Sequence, residues 1–205
     1  MYKVFFKRFI DVTLAFIGIL VLLPILLIVL IMLFFVNKGE PFFFQSRPGK
    51  DERIFKIVKF KTMTDRKDTE GNLLPNGERI TRLGDFLRKT SLDEIPQLFN
   101  VLIGDMSLVG PRPLRVRYLP YYTKEESIRH TVRPGVTGLA QISGRNSLSW
   151  NAKLAKDIEY VETMSLFLDL KILLKTFKKV FTNYGDVELD SNMLDLDELR
   201  KTAKL

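Results

Sequence analysis

Between Val12 and Val36 no side chain carries a charge, and this stretch limits the chain more than anything else in it. As a helix, roughly 25 residues extend about 37 Å, longer than the apolar core of a bilayer at about 30 Å. An export signal would share the basic start at Lys3, Lys7 and Arg8. It would also have a shorter apolar part and a small-residue cleavage site, whereas Asn37-Lys38-Gly39-Glu40-Pro41 follows here. The run is read as a retained membrane segment, and two conformations stay open. Pro24, at its midpoint, removes the hydrogen bond to the Leu20 carbonyl and wedges the helix. Basic residues flank both ends, with Lys38, Arg47, Lys50, Arg53, Lys56, Lys59 and Lys61 on the far side. The positive-inside tendency therefore holds both flanks in the cytoplasm. A helix that bends at Pro24 and returns to the same face meets both conditions; a kinked spanning helix meets the first.

The remainder is rich in charge, with a net +8 and a pI near 9.6. That balance suits an anionic partner: a phospholipid surface, a phosphorylated substrate or nucleic acid. The absence of Cys excludes disulfides, thiol nucleophiles and thiolate metal sites. A Ser-His-Asp triad would have to use the single His130, which sits in a basic stretch with no nucleophile motif. Aromatic–basic interleaving of a nucleic-acid module is not visible, so no nucleic acid is expected as partner.

Phe42–Gln45 is a short apolar run ending in the turn signal Arg47-Pro48-Gly49, and Ile54–Thr62 reads as a strand, so the two predict a hairpin. Alternation places Phe55, Ile57, Lys59 and Lys61 on one face. Residues 64–78 read as a loop, and Arg79–Leu87 leads into a helix that ends at Arg88 and Lys89. Leu92, Ile95, Leu98, Phe99 and Leu102 have helical spacing, and Gly104 ends that helix. Val109-Gly110-Pro111-Arg112-Pro113 is a rigid turn, and a second connector runs from Arg133 to Gly138. Two helices follow. The later one carries Leu166, Leu170, Leu173, Leu174, Phe177 and Phe181 on one side, with Lys171, Lys175 and Lys178 beside them. That face suits a helix lying on an anionic bilayer, and equally a core helix with a solvated lysine edge. Beyond Gly185 the chain turns acidic.

Asp93-Glu94 is the catalytic candidate. With Ser91 as N-cap the segment is a capping box, and Glu94 serves only a backbone N–H. With Asp93 as N-cap, Pro96 falls in the tolerated first turn. In either frame both carboxylates lie at a helix N-terminus, where the dipole favours their ionised form. An ionised Asp is also an oxygen nucleophile, with a neighbouring Glu as base or metal ligand. Lys59, Lys61, Arg88, Arg112 and Arg145 lie in or beside turns and short elements, where fixed cations can grip phosphate oxygens. Each taken singly is an ordinary surface charge. Together with the carboxylates they suit Mg²⁺ on a diphosphate, because that ion takes one or two carboxylates plus phosphate oxygens. Neither a Walker-type nor a Gly-x-Gly-x-x-Gly loop is present.

Several segments resemble, in order and spacing, the small monotopic phosphoglycosyl transferases of bacterial glycoconjugate synthesis, especially the PglC type. They are Phe5–Asp11, Phe55–Met63, Ser91–Leu102, Gly104–Pro113, Arg133–Gly138 and Gly144-Arg145-Asn146. The resemblance implies an α/β fold, mostly helical with a short β-hairpin. An N-terminal re-entrant membrane helix, interfacial amphipathic helices and a small cytoplasmic catalytic domain would make it up. It implies Mg²⁺ held by Asp93 and Glu94, a UDP-sugar donor and undecaprenyl phosphate as acceptor. Asp93 would be the nucleophile, with Glu94 as metal partner or base. Arg112 and Arg145 would bind phosphate, and Lys59, Lys61, Arg88, Pro111 and Asp157 would line the site. The donor sugar would be N-acetylated, and downstream glycosyltransferases are further expected partners. The expected place is the cytoplasmic face of the bacterial inner membrane, among its phospholipids. Where the family often has Ser-Pro at the helix break, this chain has Leu23-Pro24, which leaves the freed carbonyl without a hydroxyl. The expected division is 1–38 membrane helix, 39–184 transferase domain and 185–205 acidic tail, the last matching nothing in the family.

Overall fold

The computed structural model describes residues 2–144, 148–182 and 194–202. After a π turn at Tyr2–Phe6, helix α1 runs from Lys7 to Val36 with Pro24 inside it. Its buried positions, Lys7, Asp11, Ala15, Ile19, Leu26, Val29 and Leu33, fall three, four or seven apart. That spacing makes one stripe along nearly the whole helix, and the stripe faces the rest of the protein. The opposite face, including Phe9, Phe16, Val21, Ile28 and Phe35, is exposed and apolar.

Polar contacts fasten the first turns of α1. Lys7 Nζ donates to Asp169 Oδ2 at 2.7 Å, where the Tyr2 hydroxyl also donates. Asp11 accepts from the Ser107 hydroxyl at 2.7 Å and from the Leu108 N–H at 3.1 Å. Buried charges survive only when paired in this way.

Strands β1 (Phe42–Pro48) and β2 (Ile54–Phe60) form the expected antiparallel hairpin, Phe42 opposite Phe60 and Pro48 opposite Ile54. The turn lies later than Arg47-Pro48-Gly49. Arg47 and Pro48 belong to β1, and the chain reverses through a 3₁₀ turn at Lys50–Glu52. Strict alternation also fails in β2, where Ile57 and Phe60 are both buried. The strand has a core on each side: Ile57 packs with Ala15, Val101 and Met106, and Phe60 with Leu26, Val29, Leu33 and Leu87.

The loop that follows contains the short helix α2 (Asn76–Arg79) and leads to α3 (Arg82–Lys89), whose N-cap Thr81 accepts from the Gly84 N–H. A Cβ at Gly84 would lie 1.9 Å from the Thr62 carbonyl oxygen, so only glycine lets α3 come this close to the end of β2. Helix α4 (Gln97–Ile103) ends at Gly104, with φ of 99°, as expected. Asn100 on α4 accepts from the Val58 N–H and donates to the Lys56 carbonyl, which pins α4 to β2.

Strands β3 (Ser107–Val109) and, after α5 (Lys124–Ser127), β4 (Gly135–Thr137) form a parallel pair absent from the sequence reading. The pair is too short for a periodicity signal. Helices α6 (Leu139–Ser143), α7 (Trp150–Thr163), α8 (Leu166–Thr182) and α9 (Leu196–Thr202) complete the described chain. On α8, Ile172 and Asp169 are buried while Leu166, Phe167, Leu170, Leu174 and Phe177 point outward. Of the expected apolar face, Leu173 packs against the core beside Ile172, and the exposed remainder is free to meet a lipid surface.

Candidate active site

Asp93 and Glu94 lie on a 3₁₀ turn, Leu92–Glu94, between α3 and α4. Neither capping frame is present. Ser91 is left-handed, with φ of 57°, and its side chain caps nothing. The α-helix begins only at Gln97, after Pro96. Leu92 and Ile95 flank the two acids and pack against the group formed by Leu26, Val29, Leu33, Phe60 and Leu87. The carboxylate turn thus rests on the second half of α1.

Glu94 Oε1 accepts from Lys59 Nζ at 2.5 Å and from Arg112 Nη2 at 2.9 Å. Burial pushes its carboxyl up, but Arg112 and Lys59 outweigh burial and hold it far below the usual carboxylate range. Asp93 is the opposite case. No donor among the described residues reaches its carboxylate. Burial and then the charge of Glu94 push it up to about 6, against the pull of Lys59, Arg88 and Arg112. The helix dipole expected to favour the ionised form of both acids therefore does not prevail at Asp93. The α-helix starts too late to serve it, and its close neighbour is an anion. Two adjacent carboxyls with pKa values driven apart are the arrangement that separates chemical roles.

Asp93, Glu94, Lys59, Arg88 and Arg112 line one cavity of about 1020 Å³. Arg88 is aimed by the Thr62 hydroxyl, which takes its Nε at 2.9 Å, and by the Met63 sulfur. Lys61 lines the cavity on the same strand face as Lys59, but its ammonium is held by Glu40 at 2.6 Å and Asp65 at 2.5 Å. Asp157 also borders the cavity, yet its carboxylate is taken by Arg129 at 2.8 Å. Pro111 lies apart from the cavity, in a shallow cleft beside Arg129 and His130, and its carbonyl accepts from the Gly135 N–H. Its contribution is to fix the loop that presents Arg112. Arg145 lies outside the described residues.

The sequence reading gave Arg129 no role. It is 2% exposed and donates to the Arg112 carbonyl at 2.6 Å while pairing with Asp157. It joins α7 to the Arg112 loop. Nothing in the spacing of Arg112, Arg129 and Asp157 announces this, because the contacts span separate elements. His130 is buried edge-on to Tyr122, and burial and then Arg129 push it down to about 4. No nucleophile among the described residues bonds to it, so no triad runs through it.

The paired acids could accept a Mg²⁺ ion. Glu94 Oε2 and both Asp93 oxygens have no donor among the described residues, and phosphate oxygens would complete the ligand set. No cluster of three or more acidic, His or Cys side chains suited to a metal occurs among the described residues.

The sequence profile of the bacterial sugar transferase family matches residues 2–183. The uncharacterized sugar transferase EpsL of Bacillus subtilis is 49% identical over 180 residues, covering 87% of this chain and 89% of that protein. The UDP-glucose:undecaprenyl-phosphate glucose-1-phosphate transferase of Klebsiella pneumoniae is 41% identical, over 87% of this chain and 40% of its own length. An Aeromonas hydrophila UDP-N-acetylgalactosamine-undecaprenyl-phosphate N-acetylgalactosaminephosphotransferase is 36% identical, over 88% of this chain and 45% of its own. The chain therefore spans under half of the two latter proteins. It belongs to the bacterial sugar transferase family and is an enzyme of the sugar-phosphate transferase kind.

Proposed function

We propose that this chain moves a sugar phosphate from a UDP-sugar to undecaprenyl phosphate, releasing UMP and initiating assembly of a glycan. The observation that carries this reading is Asp93: a carboxylate with no donor among the described residues, raised to about 6, beside a Glu94 that two cations hold ionised. An Asp93 oxygen attacks the β-phosphorus of the donor. The bond from that phosphorus to the bridging oxygen breaks, and UMP departs with the electron pair. The sugar phosphate is then held on Asp93 as an acyl phosphate. A phosphate oxygen of the lipid attacks the same phosphorus, the bond to Asp93 breaks, and undecaprenyl diphosphosugar leaves. Lys59 and Arg112 position Glu94, and Arg88 faces the phosphates as charge shifts onto the leaving oxygen. Asp93 and Glu94 would hold a Mg²⁺ ion, which would supply positive charge to the departing phosphate.

The sugar is proposed to be N-acetylated, as the name of the Aeromonas relative has it for that protein. Membrane placement is proposed to be monotopic, on the cytoplasmic face. In support, the buried stripe from Lys7 to Leu33 packs both halves of α1 against the rest of the protein, as a helix that stays on one side of the bilayer would. The outward apolar faces of α1 and α8 would then rest among the lipids. Downstream glycosyltransferases would extend the product.

The test is UMP release from a panel of UDP-sugars by detergent-solubilised protein with Mg²⁺ and undecaprenyl phosphate. Release that requires both the metal and the lipid supports the reading. Sustained release without lipid identifies a hydrolase instead.

A further inference from the structure

The C-terminal segment, residues 194–202, lies beyond the 2–183 family match, yet it borders the same cavity. Asp195 Oδ2 accepts from Arg115 Nη1 at 2.6 Å and from Arg117 Nη2, and Oδ1 accepts from the Tyr118 hydroxyl at 2.5 Å. Arg115 and Asp195 both line the cavity that holds Asp93 and Glu94.

A diphosphate in this cavity therefore meets one set of cations around the acids and a further guanidinium at Arg115. Guanidinium groups grip phosphate oxygens wherever they are unpaired, so proximity alone would not bring the β-phosphorus to Asp93. We propose that Asp195 is a positioning residue for the donor: by occupying Arg115, it leaves the cations near Asp93 as the diphosphate site. This inference rests on the UDP-sugar reading above.

The segment does not depend on Asp195 for its attachment. Leu196 is fully buried with Tyr118 and Leu154, and the Trp150 Nε1–H donates to the Leu194 carbonyl at 2.9 Å. Arg200 holds Glu126 through two bonds of 2.6 Å. Asp195→Asn thus removes the charge and keeps the shape.

The experiment titrates inorganic diphosphate calorimetrically into the full-length solubilised protein and measures donor kinetics alongside. Asp195→Asn is expected to bind inorganic diphosphate about tenfold more tightly, the effect of one freed charge-assisted contact. Its kcat/KM for the UDP-sugar should fall while the KM for undecaprenyl phosphate holds. Adding Arg115→Gln should return both quantities toward wild type, which a loss of folding would not allow. Unchanged diphosphate affinity in Asp195→Asn, or a defect that Arg115→Gln leaves in place, overturns the proposal. Diphosphate binding is read without turnover, so a wild-type protein that releases no UMP tests the transferase reading separately.

Discussion

Arg129→Met should destabilise this protein more than any change at Asp93 or Glu94. Arg129 and Asp157 are 2% and 3% exposed and meet at 2.8 Å. Methionine fills similar volume but leaves the Asp157 carboxylate buried without its partner and the Arg112 carbonyl without its donor. Breaking such a pair costs about 3–5 kcal/mol, because the remaining charge has no compensation. In a chain of this size that lowers the melting temperature by on the order of 10 °C. The loss is also pH-dependent. Burial pushes Asp157 above its usual value even with Arg129 beside it, and removing Arg129 raises it further. Between the unfolded and folded pKa values the folded chain binds more protons, so stability falls as pH rises through that window. The Arg129→Met deficit should therefore be larger at pH 8 than at pH 5. Replacing both partners, Arg129→Met with Asp157→Leu, should recover most of the loss. Thermal unfolding in detergent at both pH values measures all three effects. A single-variant loss below about 1 kcal/mol, the range of an exposed pair, or a double variant no better than the single, refutes the buried-pair argument.

Asp93→Asn should abolish UMP release with the melting temperature unchanged or raised, since its carboxylate accepts no bond among the described residues and lies beside a like charge. With Asp93 at about 6, its ionised fraction and the rate of UMP release should rise about tenfold per pH unit below that value and level off above it. The residual activity of Glu94→Gln should show that inflection at lower pH, because the second-largest cause of the upward shift is gone; an unmoved inflection assigns it to another group. Leu196→Ala should destabilise by about 2–5 kcal/mol, as for other buried leucines. Denaturant unfolding that shows no loss would mean the C-terminal segment is not docked in solution.

Much of this protein follows from residue order alone. The uncharged run fixes one long apolar helix, because nothing else satisfies so many backbone groups away from water. Gly104 ends α4 where the sequence places its end, and β1–β2 form the expected hairpin. Asp93-Glu94, Lys59, Arg88 and Arg112 were identified from residue type and family resemblance, and all five meet in one cavity. Other features were decided only by tertiary contact. Local rules assigned Glu94 to capping or catalysis without choosing between them. Tertiary contact removed the capping role alone, by giving the carboxylate to Lys59 and Arg112, brought in by a strand and a loop far away in sequence. Asp93 departs from Glu94 because pKa depends on what surrounds a carboxyl, and the chain neighbours of the two acids are nearly the same. Arg129 reads as one more surface cation until α7 brings Asp157 to it. Asp195 reads as part of an acidic tail until Leu196 finds its place beside Tyr118. Residue order determines periodicity and breaks, which are properties of one segment. Charge pairing and burial are properties of two or more, and the fold alone sets which segments meet.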